Sequence, residues 1–566
     1  MSTQNNNFYL YLIKPTIYDS DGYPIHWLHN NMPTNSLASI YGIALDCKER
    51  AVLGLDTNII IKAIDESNTP CKHQKIISNI KSNNAKALVA FVGVQSNQFP
   101  RAIDLGAKFI ANEIPVCIGG FHVSGIMSMF QKPSQDLINA NKIGISLFSG
   151  EAEEGRFDEL LKDAWNGQMK NIYDYSNQYV SIANEPTPFM PPENVKKTFG
   201  NVSSMDLSRG CPYNCSFCCI INVHGRKSRT RNADDLEKIV RLNFKNKTKS
   251  MFITDDNFAR NKNWSQLLDR LIKLREEGIK MSFYIQADVL SHRIPGFVEK
   301  ASQAGVETVF IGLENINEKN LLTVNKKHNK IEDYRETLLA WKKHAVITAC
   351  GYIIGFPNDT KESILKDIDI IKKQLPVDML FVNILTPLPG SADHKRLTEK
   401  GVWLDPDLNK YDFTHRVFNH DNMTNSELDE IYKVAWRKYY TFKHMETILR
   451  RMYALGKIKN INTVIGLFLT FGVINKVHNM YSYDLGLIRR KNRKDIREGR
   501  TPEGFFTFHY KYIIHSAKTL GVVVMGLVKI SLIISKISLN RTKSDYRDAA
   551  ITAPDIQQPS PIGSQL

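Results

Sequence analysis

Residues 208–219 read Ser208-Arg209-Gly210-Cys211-Pro212-Tyr213-Asn214-Cys215-Ser216-Phe217-Cys218-Cys219. Four of the chain's eight cysteines fall inside this stretch, and the others, Cys47, Cys71, Cys117 and Cys350, are scattered singly. A disulfide framework would be spread more evenly and belongs to small secreted chains. Residues 1–7 are polar, so no secretory signal is expected. The pattern predicts a reducing, cytoplasmic compartment and a metal site. Thiolates are soft ligands that suit iron-sulfur clusters or zinc. A four-iron cluster ordinarily takes four protein thiolates. Three in one tight loop, Cys211, Cys215 and Cys218, would leave one iron open to another ligand. Zinc clusters usually come as two separated pairs, and a zinc site completed by Cys219 or His224 is the competing reading. Cys219 is expected to pack beneath the loop rather than to ligate iron.

Working outward, apolar runs and helical patterns alternate six times from residue 204 onward. Strands are expected at 204–207, 250–254, 281–286, 308–312, 348–354 and 379–385, with helical stretches in every gap. Six such units predict a partial (β/α)6 barrel of TIM type over residues 201–395. In barrels of this kind the chemistry sits on loops after the strands. The cysteine stretch is the loop after the first of them.

Residues 1–175 alternate in the same way, with apolar runs at 8–13, 87–94, 115–118 and 143–148. They predict a doubly wound, Rossmann-like α/β domain. Ligands of such sheets sit past the carboxyl ends of the strands, which here carry Gln95-Ser96-Asn97, Gly119-Gly120 and Ser149-Gly150-Glu151. Residues 176–200, with Pro186, Pro188, Pro191 and Pro192, read as a linker. Residues 396–480 read as a helical extension, 481–540 as a basic and apolar segment, and 541–566 as a disordered tail.

The apolar stretch at 463–474 is too short to span a bilayer. The one at 513–537 is interrupted by Lys518, Lys529 and Lys536. With the basic run 489–494 between them, these stretches predict a surface-lying membrane anchor, against a core helix beside a solvated loop. A net charge of +16 fits an anionic partner, or simply a lysine-rich surface.

CxxxCxxC after the first strand of a six-unit parallel barrel resembles the radical S-adenosylmethionine (SAM) superfamily, and the resemblance covers residues 201–395. It implies a 4Fe-4S cluster on Cys211, Cys215 and Cys218 whose open iron binds the amino and carboxylate groups of SAM. One electron, from a donor such as flavodoxin or ferredoxin, then yields a 5′-deoxyadenosyl radical that abstracts hydrogen from substrate. It further implies that Asp255, Asp256, Asn257, Gln286 and Glu314, at successive strand ends, hold the methionyl ammonium and the ribose hydroxyls. Gly351 and Gly355 would let the backbone approach the adenine, with Phe217 lying against it. The plainer counterparts are helix caps for Asp255, Asp256 and Asn257 and a simple turn at Gly355. The loop 386–391 is expected to meet substrate. The basic loop 225–231 is expected either to clasp an anionic substrate group or to be solvated.

A doubly wound domain ahead of such a barrel resembles the cobalamin (B12)-binding subgroup. There Gln95, Ser96, Gly119, Gly120 and Glu151 would cradle the nucleotide tail, with the corrin facing the cluster. The DxHxxG motif that carries an axial histidine in many cobalamin domains is missing, so His122 is expected to be structural or tail-contacting. The implied activity is methyl transfer to, or radical rearrangement of, an unactivated carbon. The substrate would be a lipid-like or secondary-metabolite small molecule. The enzyme would be cytoplasmic, or peripheral at the inner face of a membrane, and nucleic acid is not an expected partner. Two other readings stand beside this one. A radical SAM RNA-modifying enzyme without cobalamin would use Cys47, Cys71 and Cys117 for a second cluster, although their surroundings do not resemble its ligand motifs. A non-catalytic, zinc-stabilised binding module would leave the strand-end carboxylates idle.

Overall fold

The computed structural model describes residues 6–456, 460–480, 485–540 and 543–552. Its first sheet contains β1 (Asn7–Lys14), β2 (Asn58–Asp65), β3 (Lys86–Phe91), β4 (Val116–Gly119), β5 (Ser146–Ser149) and β6 (Ile172–Asp174). All six are parallel, in the spatial order β2-β1-β3-β4-β5-β6. Successive residues of a strand face opposite sides of the sheet. Accordingly Tyr9, Tyr11 and Ile13 enter one hydrophobic core, and Phe8, Leu10 and Leu12 enter another. A core on each face is what a doubly wound sheet requires. The order reverses between β1 and β3, the place where such sheets open a crevice.

The second sheet holds β7 (Val202–Met205), β8 (Ser250–Ile253), β9 (Ser282–Ala287), β10 (Val306–Glu314), β11 (Ile347–Ile354) and β12 (Met379–Ile384). Its strands are parallel and lie in plain sequential order, with helices between them. The register slips between Gly312 and Glu314, so the end of β10 bulges.

Along the segment 176–200, read as a linker, Val180, Ile182, Met190 and Val195 are buried. Two expectations need correction. The basic run is tied down, since Arg489 and Arg490 pair as a two-residue ribbon with Trp27 and His26. Arg489 also binds Asp19 at 2.5 Å, and Lys491 reaches the same carboxylate at 3.0 Å. Of the segment expected to be a disordered tail, residues 543–552 pack back on the protein, with Asp548 2.8 Å from the buried Arg451. Residues 541–542 and 553–566 lie outside the described residues. Two helices, Ile461–His478 and Phe505–Leu539, are long and apolar enough to cross a membrane by length and composition.

Candidate functional site

The cysteine loop leaves the carboxyl end of β7 as a closed excursion. Ser208 and Arg209 pair antiparallel with Thr230 and Arg229, which brings the two ends of the loop together. Gly210 makes the turn at φ +98°, where a Cβ would stand 2.4 Å from the Lys227 carbonyl oxygen. Only glycine passes there. Its N–H donates to Asp256 at 2.7 Å, and the Cys211 N–H donates to the Gly225 carbonyl at 3.2 Å. Further along, the Ser216 N–H donates to the Val324 carbonyl at 3.1 Å and its hydroxyl to Asp393 at 2.9 Å. The loop is thus fixed from three sides before any ligand arrives.

Cys211, Cys215 and Cys218 are half-buried, whereas Cys219 is buried, as expected of a packing residue. Burial pushes the Cys211 thiol up to about 11 and Cys219 up to about 12, and raises Cys215 and Cys218 as well. Such thiols stay protonated at neutral pH unless a cation displaces the proton. Among the described residues, the groups with three or more ligand atoms converging within 4.8 Å are His26/Glu66/Asp495 and His292/Asp333/Glu336. The three cysteine sulfurs do not form such a group. A single tetrahedral zinc would need sulfurs about 4 Å apart, so these three thiols are not arranged as a preformed one-ion site. Cys47, Cys71 and Cys117 are each buried within a core and form no such group either.

Glu314 ends β10 in the left-handed region, at φ +64°. Non-glycine residues rarely adopt it, and such strain collects at functional sites. Its carboxylate is paired with the buried Lys326, whose ammonium also donates to the Gly312 carbonyl at 3.2 Å. Lys326 had no signal of its own in the sequence, being one of 74 lysines and arginines. A Cβ on Gly351 would stand 3.0 Å from the Phe310 ring and 3.7 Å from the Glu314 carboxylate, so this glycine makes room chiefly for Phe310. Phe217 packs with Val324, Ile353, Phe356 and Leu385. Gly355 turns at φ +93°, and the N–H groups of Gly355 and Phe356 both donate to Asp359, at 2.9 and 3.0 Å.

Other expected ligand contacts are occupied internally. Asp255 is fully buried and accepts from the Leu207 N–H at 2.6 Å and the Ser208 hydroxyl at 2.5 Å. It supports the root of the cysteine loop from within rather than facing the strand ends. Asn257 donates to Asp288 at 2.9 Å. Asp288 also takes a hydrogen bond from Tyr213, inside the cysteine loop, at 3.0 Å. The basic loop is solvated at Arg226 and Lys227, but its far end is closed to an anionic ligand. Arg231 is fully buried and donates to the carbonyls of Asp206 and Ile182, each at 3.0 Å, while Arg229 binds Glu151 at 2.7 Å.

Between the two sheets lies a cavity of about 320 Å³. The first sheet contributes Gly93, Gly119, Gly120 and Gly150 at the ends of β3, β4 and β5, and the second contributes Asp206, Thr254, Asp256 and Gln286. Ile220, Val223 and His224, just past the cysteines, line the same space. Gly93, Gly120 and Gly150 all have positive φ, so three neighbouring strand ends offer backbone rather than side chains. A short apolar wall of Ile40, Phe148 and Leu160 continues the cavity beside them. Glu151 lines the cavity but is spent on Arg209 and Arg229. Gln95 and Ser96 are not among its lining residues, and Ser96 instead bonds His122 at 3.0 Å. His122 is buried, with its other ring nitrogen 2.6 Å from Asp136, so it is structural. A larger cavity of about 680 Å³, among residues 17–25, 407–433 and 477–515, includes no residue of the cysteine loop.

Comparison with known proteins agrees with this geometry. Residues 205–371 match the family model of the radical SAM superfamily. Bacteriochlorophyllide d C-12(1)-methyltransferase of Chlorobaculum tepidum is 27% identical over 345 residues, 60% of this chain and 72% of that protein. Bacteriochlorophyllide d C-8(2)-methyltransferase of the same organism is 28% identical over 391 residues, 66% and 82% of the two chains. The solved structure of the cobalamin-dependent S-adenosylmethionine radical enzyme OxsB with aqua-cobalamin bound aligns over 96% of this chain and 82% of its own. Its TM-score is 0.52 at 15% identity, a likeness of fold. Residues 205–371 therefore form a radical SAM domain, and the chain shares its fold with a cobalamin-dependent radical SAM enzyme.

Proposed function

We propose that this protein is a cobalamin-dependent radical SAM enzyme that methylates, or radically rearranges, an unactivated carbon of an apolar small molecule. The observation that carries this reading is the shared cavity, which has glycine loops of the first sheet on one side and the cysteine-loop root on the other. Cys211, Cys215 and Cys218 would hold a 4Fe-4S cluster, and the glycine-lined strand ends would hold cobalamin. When bound, these groups supply the electron for SAM cleavage and a carrier for the methyl group, chemistry that belongs to the cofactors.

The protein's own part is binding, orientation and exclusion of water. Glu314 would accept the methionyl ammonium, and Lys326 would pair with the methionyl carboxylate beside it. Phe217, with Ile353 and Phe356, would shelter the adenine face. The relatives' names support the reaction class, since both are methyltransferases acting at named carbons. The apolar stretch of the cavity wall supports an apolar substrate.

The test is iron, zinc and cobalt content of protein purified anaerobically with cobalamin supplied, followed by assay of 5′-deoxyadenosine. About four irons and one cobalt per chain are expected. Cys215→Ala is expected to lose both the iron and 5′-deoxyadenosine formation. Zinc without iron, or undiminished 5′-deoxyadenosine from Cys215→Ala, would sink the reading. Iron without cobalt would leave a radical SAM enzyme whose first domain is only a scaffold.

A further inference from the structure

The helix Phe505–Leu539 has 35 residues, about 52 Å at 1.5 Å per residue. Its packed and exposed sides are opposite one another. Phe508, Thr519, Gly526, Ile530 and Ile537 are buried on the body of the protein. Gly526 allows a close approach, since a Cβ there would stand 2.9 Å from Leu469. Lys536 reaches Glu446 at 3.3 Å, and the hydroxyls of Ser538 and Tyr453 are 2.9 Å apart. At about 100° per residue the buried positions form a single stripe. The opposite stripe carries Phe506, Leu520, Val524, Val528, Leu532 and Leu539, which are 51–85% exposed. Contiguous exposed apolar surface of this kind marks an interaction site.

The charges on this helix are as one-sided as its apolar residues. Lys511, Lys518, Lys529 and Lys536 follow at steps of 7, 11 and 7 residues, which returns each to the same side of a helix of 3.6 residues per turn. This row runs along one border between the buried and the exposed stripe. The helix contains no Asp or Glu, so a second copy packed here would bring no counter-charge from its own helix. Spanning is also disfavoured. A bilayer core takes about 20 residues, and any such stretch of this helix would bury at least two of the lysines. It would also strip the buried stripe from the body.

We propose that this helix lies in the plane of an anionic phospholipid bilayer, with its outer apolar stripe among the acyl chains and Lys518 and Lys529 at the phosphate level, while Lys511 and Lys536 at the two ends of the row are held by Glu503 and Glu446. The long lysine stems let the ammonium groups reach the headgroups while the apolar side chains stay below them.

The experiment is flotation of the full chain with vesicles of phosphatidylglycerol and phosphatidylcholine, against pure phosphatidylcholine. The protein is expected to float with the anionic vesicles, less so as salt rises, and to be released by alkaline carbonate. The triple variant Leu520→Asp, Val524→Asp, Val528→Asp is expected to stay in the soluble fraction with a wild-type melting temperature. Lys518→Ala, which leaves the apolar stripe untouched, is expected to weaken partitioning about fivefold. Absence of binding to anionic vesicles, equal binding by the triple variant, or resistance to carbonate would each overturn the proposal. So would a wild-type dimer that the triple variant splits without any change in vesicle binding, since a second copy would then be the occupant.

Discussion

Arg209, on the ribbon that enters the cysteine loop, donates to Glu151 across the seam between the two sheets at 2.9 Å. Glu153 and Asp206 take the rest of its guanidinium, at 2.7 and 2.8 Å. Burial alone would raise the Glu151 carboxyl, but Arg209 and Arg229 outweigh it and hold the group below the usual carboxylate range. Removing one partner from a buried ionic pair costs about 3–5 kcal/mol, because the remaining charge is left uncompensated. Arg209 would keep Glu153 and Asp206, but Arg229 would be left with carbonyl partners alone, so Glu151→Ala is expected to lose up to about that much stability in urea unfolding. It should also open the segment 176–200 to limited proteolysis. A variant with the wild-type midpoint and wild-type protease resistance would show that other contacts hold the seam.

In the proposed reading, the Lys326–Glu314 pair would receive the amino acid moiety of SAM, ammonium to carboxylate and carboxylate to ammonium. Lys326→Met keeps the buried stem but removes the charge. Iron content is expected to stay at the wild-type level, because no thiol is touched. SAM binding by equilibrium dialysis is expected to weaken at least about tenfold, or about 1.4 kcal/mol. Unchanged affinity in the iron-loaded variant would remove Lys326 from the binding site and leave it as a support for the bulge at Glu314.

The alternation of strands with helices and the position of the cysteine loop follow from local pattern, and so that part of the fold was legible. Apolar runs such as 8–13 and 348–354 are buried on both faces, which makes them continuous and easy to read. The two strands with no such signal, β2 and β6, are the edges of the first sheet. β2 alternates partly exposed residues with a lysine, and β6 is only three residues long. The site was legible as a set of strand ends but not as a set of contacts. Asp255, Asp256 and Asn257 are adjacent in sequence and look equivalent there. Backbone direction sends Asp255 to Leu207 and Ser208, Asp256 to Gly210, and Asn257 to Asp288. Arg229 and Arg231 likewise read as loop charge because their partners, the His224 carbonyl apart, lie 25–78 residues away.

Asp255 carries a pH signature of its own. Burial pushes its carboxyl up to about 7, against the opposing hydrogen bonds from Ser208 and Leu207. In the unfolded chain the same group titrates near about 3.9. The folded form keeps its proton over the range in which the unfolded form releases one. This contribution is therefore full below about pH 4 and is lost as pH rises toward 7, on the order of several kcal/mol. Asp255→Asn fixes the neutral form, so melting temperature measured across that range should fall less steeply in the variant than in the wild type. Parallel curves would show that the group is already ionised in the fold.

Gly119 and Gly120 are neighbours in one motif but carry different constraints. Gly120 has φ +144°, and a Cβ there would stand 2.1 Å from the Val94 nitrogen and 2.6 Å from the Gly93 carbonyl carbon. Those are backbone atoms that cannot swing aside. The Val94 N–H donates to the Gly119 carbonyl, and the Val94 carbonyl accepts from the His122 N–H, each at 3.0 Å, so the loops after β3 and β4 are locked together here. Gly120→Ala must force them apart, at a cost of about 1–3 kcal/mol. A Cβ on Gly119 would instead meet the Phe148 Cβ at 3.3 Å and its carbonyl oxygen at 3.4 Å, a tight contact but far from the 2.1 Å clash at Gly120. Gly119→Ala is expected to cost less than about 1 kcal/mol. Both residues line the cavity between the sheets, so cobalt content separates packing from ligand binding. Gly120→Ala should lose bound cobalt with its loop contact, while Gly119→Ala should retain most of it. If both variants melt alike but only one loses cobalt, the glycines matter through the ligand they face. If both melt alike and both keep cobalt, the loop contact is not what the pair is needed for.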